Sequence, residues 1–439
     1  MRKKNVFVVG MNDLNRERLQ TLPHAEHYDF HALLTYEESH GAAEYRPKEL
    51  MQKATGILDR FDGPVDAIIG FWDFPVSPMI PLLAARYGTR SASLASVLRA
   101  EHKYWARLKQ REVIPEHTPE FVRFDPFDDD ALSRIGMSYP FWIKPMIAFG
   151  GHLGLKVENE DDFRKGVQEM RKNIHRFAEP FKYFASQLED GDDYPGDEGG
   201  FAIAEQIISG RQCTVEGYVS NGKVEAHGVI DSFCFPGTTS FSRLEYPSKL
   251  PQPVKDEMIE ASRKIISHLE YDNSTFNIEY FYDEPNDRIW LLEINARISQ
   301  SHSDLFYKVD GHPNQELLVS TALGQDPTWP RQEGAYKVAA KFFLRRFADG
   351  QVVRCPTVQQ VHRVKELVPE TVVELLVKPD MWLHDLGYQD SYSYKLAILY
   401  IGAEDDDELM RKYHQCVGEL DFAIREKEDE TPAPFMEET

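Results

Sequence analysis

The sequence predicts a protein of the α/β class, turning to α+β in its later part, and three observations predict it. Short apolar strands alternate with helical segments over residues 5 to 90. An aromatic and β-branched hairpin runs from Phe276 to Arg297. A chain of 439 residues is also too long for a single core, which implies about two to four domains.

The first strand is Val6-Phe7-Val8-Val9-Gly10, running into the loop Met11-Asn12-Asp13 and a helical segment through Leu22. Phe30 to Leu34 gives a second strand, a helix spans about Glu49 to Arg60, and Val65 to Gly70 gives a third strand before an amphipathic helix from Met79 to Tyr87. That alternation predicts a parallel sheet with right-handed crossovers. Ligands of such sheets lie off the carboxyl ends of the strands, here Gly10 to Asp13 and Phe71-Trp72-Asp73, although these loops also serve simply as connections.

Ser96 to Gln110 reads as helix and carries Lys103. Tyr139 to Pro145 is a strand with Lys144 near its end, followed at once by the glycine-rich turn that holds Gly150, Gly151 and Gly154. Glycine there lets backbone N–H groups approach a phosphate, yet the spacing is neither a Walker loop nor a dinucleotide fingerprint. Phe163 to Phe177 is expected as one helix and Gln187 to Gly200 as a mobile acidic loop. Strands then run from Phe201 to Ile208, from Gln212 to Val219, and from Lys223 to Ile230 after an Asn221-Gly222 turn. A long amphipathic helix, Pro253 to Leu269, leads to the hairpin.

If the arms of that hairpin pair antiparallel across Asp283 to Arg288, Glu279 faces Glu293 and Asn277 faces Asn295, all on one face. Opposed like charges destabilise a sheet, and an unpaired carboxylate among apolar neighbours is costly. A divalent cation between them reverses that sign, because two carboxylates and an amide oxygen are hard ligands of the kind Mg²⁺ takes. Arg297, on the same parity, adds a fixed cation. Taken alone, the hairpin also reads as a solvated face with ordinary surface acids.

Composition narrows the function. A formal charge of -22 argues against nucleic acid or anionic membrane as partners. The four cysteines show no C-x-x-C pair, so neither zinc nor a disulfide framework is indicated. The apolar run after Met1-Arg2-Lys3-Lys4-Asn5 is too short for a signal peptide and no stretch approaches a membrane span, so a cytoplasmic location is expected.

The succession of a small Rossmann-like domain, a helical lysine, a strand-ending lysine before a glycine-rich turn, a Glu-containing hinge strand and Glu…Glu-x-Asn-x-Arg resembles the ATP-grasp superfamily over residues 5 to 330. The resemblance implies an ATP-grasp fold with roles for individual residues. Lys103 and Lys144 would hold the nucleotide phosphates, and Gly150, Gly151 and Gly154 would form the covering flap. Glu205 with the backbone near Ile207 and Ile208 would receive adenine. Glu279, Glu293 and Asn295 would ligate Mg²⁺, and Arg297 would face the reacting phosphoryl group with Lys144 beside it. Where relatives often carry a ribose-binding Glu, this chain has Gln212.

The resemblance further implies ATP and two Mg²⁺ ions as cofactors, with Mn²⁺ expected to substitute. The implied reaction joins a small-molecule carboxylate to an amine through an acyl phosphate, with release of ADP and phosphate. Residues 208 to 218 and 241 to 251 are similar to the amino-acid ligase branch, whereas 293 to 302 is similar to biotin carboxylases. The latter carry a Gln-Val-Glu-His run where this chain has Ser299-Gln300-Ser301-His302, and serine cannot replace the base that deprotonates bicarbonate. Carboxylation is therefore the second reading, and an ATP-binding scaffold without catalysis the third.

Candidate substrate groups are Asp73 after the third strand, Arg243, whose guanidinium could pair bidentately with a carboxylate, and His302. Each also has a structural reading, as loop, surface or buttress. The expected domains are 1–98 (Rossmann-like), 99–330 (nucleotide-binding and catalytic), 331–425 (strand-rich lid) and an acidic disordered tail, 426–439. A homodimer is expected from the look-alikes.

Overall fold

Both faces of the first strand are apolar, so it must be covered on two sides. In the computed structural model, which describes residues 2–42, 44–148, 153–189, 191–196, 200–386 and 393–426, that is where it lies. In chain order the strands are β1 (Lys4–Met11), β2 (Tyr28–Thr35), β3 (Ala67–Gly70), β4 (Phe121–Phe124), β5 (Phe141–Pro145), β6 (Leu155–Val157), β7 (Ala202–Gln206), β8 (Arg211–Ser220) and β9 (Lys223–Cys234). They continue with β10 (Phe241–Tyr246), β11 (Ser274–Asp283), β12 (Arg288–Asn295), β13 (Val338–Arg346), β14 (Gln351–Arg354), β15 (Val372–Leu375), β16 (Tyr394–Ala403) and β17 (Ala423–Arg425).

The chain divides into two units. The first comprises Met1–Gly228, Leu250–Gln300 and Asn314–Trp329; the second comprises Val229–Lys249, Ser301–Pro313 and Pro330–Thr439. In the first unit β1 is the centre of a parallel sheet of order β2-β1-β3. Val6 and Val8 pack into one core with Leu19, Ile69 and Leu318, while Phe7 and Val9 pack into the other with Ile68, Met79 and Trp105. Gly10, the last residue but one of β1, has φ 79°, and a Cβ there would come within 2.5 Å of the Trp72 ring. Glycine therefore lets Trp72 fold back and donate its Nε1–H to the Gly10 carbonyl at 2.7 Å.

The same unit holds an antiparallel sheet of order β4-β7-β5-β6, covered by the helix Glu160–Asn173 through Phe163, Val167 and Met170. Asn159 caps this helix by accepting from the Asp162 N–H at 3.0 Å. The single helix expected over 163 to 177 is in fact two, because His175–Ala185 turns Phe177, Phe181 and Phe184 into the core around Phe7 and Trp105 instead. The described part of the acidic stretch 187 to 200 is anchored rather than loose. Tyr194 packs on Trp105 and Phe181 at ring distances of 5.5 and 6.1 Å, and Asp193 pairs with Lys109 at 2.5 Å. Strands β12-β11-β8, followed by β9 up to Gly228, complete the unit.

In the second unit β9 from Val229 onward continues into the order β10-β13-β16-β15, and β14 pairs with β17. Phe342, Leu344, Leu399 and Ile401 meet Val364 and the helix Asp406–Glu419 through Leu409 and Tyr413. That helix stops at Glu419. Leu420 is extended, with φ -94° and ψ 112°, and Ala423–Arg425 pairs with β14. The tail expected over 426–439 lies outside the described residues apart from Glu426. All four cysteines are free, and no helix among the described residues is long and apolar enough to cross a membrane.

Candidate functional site

The hairpin β11–β12 adopts the register that its alternation predicts. Glu279 is the partner of Glu293, Ile278 of Ile294 and Asn277 of Asn295. A β-bulge follows, with Tyr280 opposite Leu291, so that Leu292 has no partner. Asn295 donates its amide to Asn277 Oδ1 at 2.9 Å, and Asn277 donates to the Arg297 carbonyl at 3.0 Å. With its nitrogen so engaged, the Asn295 amide turns its oxygen to Arg297, whose Nη2 lies 3.5 Å away.

Electrostatics separates the two acids. Burial, then the charge of Glu293, pushes the Glu279 carboxyl up to about 7. Burial also pushes Glu293 upward, but Lys103 and Lys144 outweigh it and hold this carboxyl below the ordinary glutamate value. Gln212 donates to Glu279 Oε2 at 3.0 Å. Two carboxylates and an oriented amide oxygen suit a hard divalent cation, and a pair of acids that resists double ionisation gives such an ion something to neutralise.

Lys103 reaches this face because the helical stretch 96 to 110 is broken. His102 is extended and accepts the Trp105 N–H on Nδ1 at 3.1 Å, so a new helix, Lys103–Val113, starts with Lys103 as its first residue. The Lys103 ammonium lies 2.8 Å from Glu293 Oε1 and donates to the Ala148 carbonyl at 2.6 Å. One turn on, Arg107 pairs with Glu205 at 2.7 Å, and the other oxygen of Glu205 holds Lys144 at 2.6 Å. Burial lowers Lys144 from its ordinary value although Glu205 opposes this. Burial pushes Glu205 up, yet Arg107 and Lys144 together bring it down to about 2.

Arg297 lies past the end of β12. Its Nε donates to Asp73 Oδ1 at 2.6 Å and its Nη2 lies 3.5 Å from Asn295 Oδ1. Burial works against both charges, but each holds the other ionised: Asp73 stays below its usual value and Arg297 is raised. The adjoining loop is tied down by Glu216, which accepts from the Ser299 N–H at 3.0 Å and faces Asn314 Nδ2 at 3.4 Å.

One face of the first unit therefore gathers Asp73, Lys103, Lys144, Glu205, Gln212, Glu279, Glu293, Asn295 and Arg297. Ile207 and Ile208 lie in the loop between β7 and β8, and Gly154 immediately precedes β6. Gly150 and Gly151 lie outside the described residues. Arg243 and His302 belong to the second unit. There Arg243 pairs with the buried Glu245 at 2.9 Å and stacks over Phe233 at 4.1 Å, and His302 is buried. Sequence reasoning missed Arg107 and Glu216. Arg107 follows Lys103 by four residues on the same helix face, a spacing that could have pointed to it.

Residues 137–303, which run from before β5 to beyond β12 and include Lys144, Glu205, Glu279, Glu293 and Asn295, match the family model of the ATP-grasp domain. Residues 137–303 are thus an ATP-grasp domain. Over nearly its whole length the chain is similar to the L-amino acid ligase from Bacillus licheniformis, with 15% identity, 96% of this chain and 99% of that one covered, and a TM-score of 0.73. It is similar too to the carboxyaminoimidazole ribonucleotide synthase from Aspergillus clavatus complexed with ATP (12% identity, coverage 95% and 98%, TM-score 0.65). The biotin carboxylase from Campylobacter jejuni also resembles it (15% identity, coverage 96% and 92%, TM-score 0.61). No curated protein matches the sequence.

Proposed function

We propose that this protein is an ATP-dependent carboxylate–amine ligase, of the amino-acid or dipeptide type, that forms an amide bond and releases ADP and phosphate. The observation that carries the reading is the Glu279–Glu293 pair, opposed across the hairpin with Asn295, Lys103 and Arg297 around it. Glu279, Glu293 and Asn295 would hold Mg²⁺, which when bound neutralises phosphate charge and polarises the transferring phosphoryl group.

The chain's own residues bind and align. Lys103 and Lys144, now paired with Glu293 and Glu205, supply the charge for the nucleotide phosphates. Arg297, aimed by Asp73, stabilises charge on the transferring group. A substrate carboxylate oxygen attacks the γ-phosphorus, the bond to the bridging oxygen breaks, and ADP leaves. The amine lone pair then attacks the acyl carbon, the carbon–oxygen bond to phosphate breaks, and the ammonium proton passes to solvent.

Carboxylation of the biotin carboxylase kind needs a basic side chain just after Arg297-Ile298, and the run Ser299-Gln300-Ser301-His302 supplies no carboxylate there. Amide formation is favoured for that reason. The test is a screen of paired amino acids with Mg²⁺ and ATP, following phosphate release and product mass. An adduct lighter by one water than the two substrates together is expected, and Glu293→Ala should abolish it. Turnover untouched by that substitution would sink the assignment.

A further inference from the structure

Arg107 is almost fully buried, and its guanidinium meets four acceptors from three separate parts of the first unit. Nε donates to Glu205 Oε1 at 2.7 Å, Nη1 to Gln110 Oε1 at 2.5 Å and to the Leu291 carbonyl at 3.1 Å, and Nη2 to the Leu292 carbonyl at 2.7 Å. Leu291 and Leu292 flank the bulge of β12. Leu292 is its unpaired residue, and Glu293 comes next. A bulge takes a carbonyl out of the ladder, and a buried carbonyl needs a partner. Arg107 provides it.

The opposite edge of the same fork holds Glu205, whose second oxygen holds Lys144 at 2.6 Å. Lys144 stands on β5 and Glu205 on β7 in one sheet, while Glu293 stands on β12 in another. A planar cation hydrogen-bonded along both edges fixes the separation between them, which a lysine with a single point of charge cannot do.

We infer that Arg107 is a positioning residue that sets the spacing between the phosphate-side lysine Lys144 and the metal-side carboxylate Glu293, through the bulge carbonyls and Glu205. The inference rests on the nucleotide reading given above and adds to it a residue that touches neither nucleotide nor metal. Its signature is a raised Mg²⁺ requirement with an unchanged affinity for metal-free nucleotide. Loss of general stability would instead weaken both together.

The experiment is calorimetric titration of the full-length protein with ADP, at a series of Mg²⁺ concentrations and with EDTA, for wild type, Arg107→Lys and Gln110→Ala. Arg107→Lys keeps a charge beside Glu205 and loses the fork, so the half-saturating Mg²⁺ concentration should rise roughly tenfold, with EDTA-state ADP affinity within about twofold of wild type. Gln110→Ala removes one of the two acceptors of Nη1, leaving the Leu291 carbonyl, and should shift the same quantity in the same direction by about twofold. It carries the test by itself if the lysine variant does not fold. An unmoved Mg²⁺ requirement in the folded variants overturns the role of Arg107 while leaving the nucleotide site intact. Wild-type protein that takes up no Mg-ADP overturns the nucleotide reading itself.

Discussion

Glu279 and Glu293 are direct partners across the hairpin, yet they are displaced to opposite sides of the ordinary glutamate value, Glu279 up to about 7 and Glu293 downward. A raised folded-state value means that the native protein binds more protons than the unfolded chain between pH 4.5 and about 7. The stability this contributes is complete below the lower value and is lost as pH rises through the upper one. Metal-free protein should therefore weaken as pH rises from 5 to 8. Glu279→Gln should not share that loss, so it gains on wild type by on the order of 1–3 kcal/mol across the interval. Urea denaturation in EDTA at the two pH values measures it, and parallel behaviour of the two proteins would refute the assignment of the proton to Glu279.

Gln212 donates to Glu279 at 3.0 Å, so a third carboxylate at this position would crowd two existing acids. Gln212→Glu is expected to lower the stability of metal-free protein by about 1–2 kcal/mol at pH 8 and to recover it when Mg²⁺ and ADP are added. A melting temperature that falls in EDTA and returns with ligand checks both halves.

Arg297 owes its aim to Asp73 at 2.6 Å. Asp73→Asn keeps the size of the partner and discards its charge, leaving the guanidinium free to swing. Because misplacement by an ångström can cost about a hundredfold in rate, kcat for ATP-dependent phosphate release should drop roughly ten- to a hundredfold with KM for ATP changed by less than about threefold. Steady-state kinetics on the substrate pair found in the screen decides this. A rise in KM at constant kcat would instead place Asp73 in nucleotide binding.

The parallel sheet and the hairpin register were legible because both rest on local periodicity. Two-faced apolar runs at Val6 to Gly10 and Val65 to Gly70 admit only a buried strand, and a period of two fixes which residues face Glu279. The bulge after Glu279 was not legible, because nothing in Leu291-Leu292 distinguishes a paired residue from an extra one. Arg107 stayed hidden for a related reason: on an amphipathic helix a buried arginine reads like any solvated one until its partners, Glu205 and two carbonyls of β12, are brought from about 100 and 185 residues away. His102 broke a helix that propensity alone would continue, since its capping role depends on an extended backbone that no local preference demands. Arg243 lies apart from the face of Glu279 and Glu293, in the second unit. Its charge was legible in the sequence, but its pairing with Glu245, two residues on, was not.

Glu205 carries the sharpest consequence for acid stability. Its folded-state value, about 2, lies below the ordinary 4.5, because the two cations beside it outweigh the cost of burial. The sign is opposite to that of Glu279: the contribution is present above pH 4.5 and disappears as pH falls toward 2. Lys144→Met removes one of the two cations and leaves Arg107, so the carboxyl should take up its proton at a higher pH and acid unfolding should begin earlier. Removing one partner of a buried ion pair typically costs about 3–5 kcal/mol. Arg107 still compensates Glu205 here, so a loss at the lower end is expected at pH 7. Adding Glu205→Gln to Lys144→Met should lower stability further, since it leaves the buried Arg107 guanidinium without its carboxylate. Acid titrations followed by tryptophan fluorescence, with urea denaturation at pH 7, separate the two effects. If Lys144→Met begins to unfold at the same acid pH as wild type, Glu205 is not held ionised by Lys144, and the coupling between the strand-ending lysine and its buried acid is absent in solution.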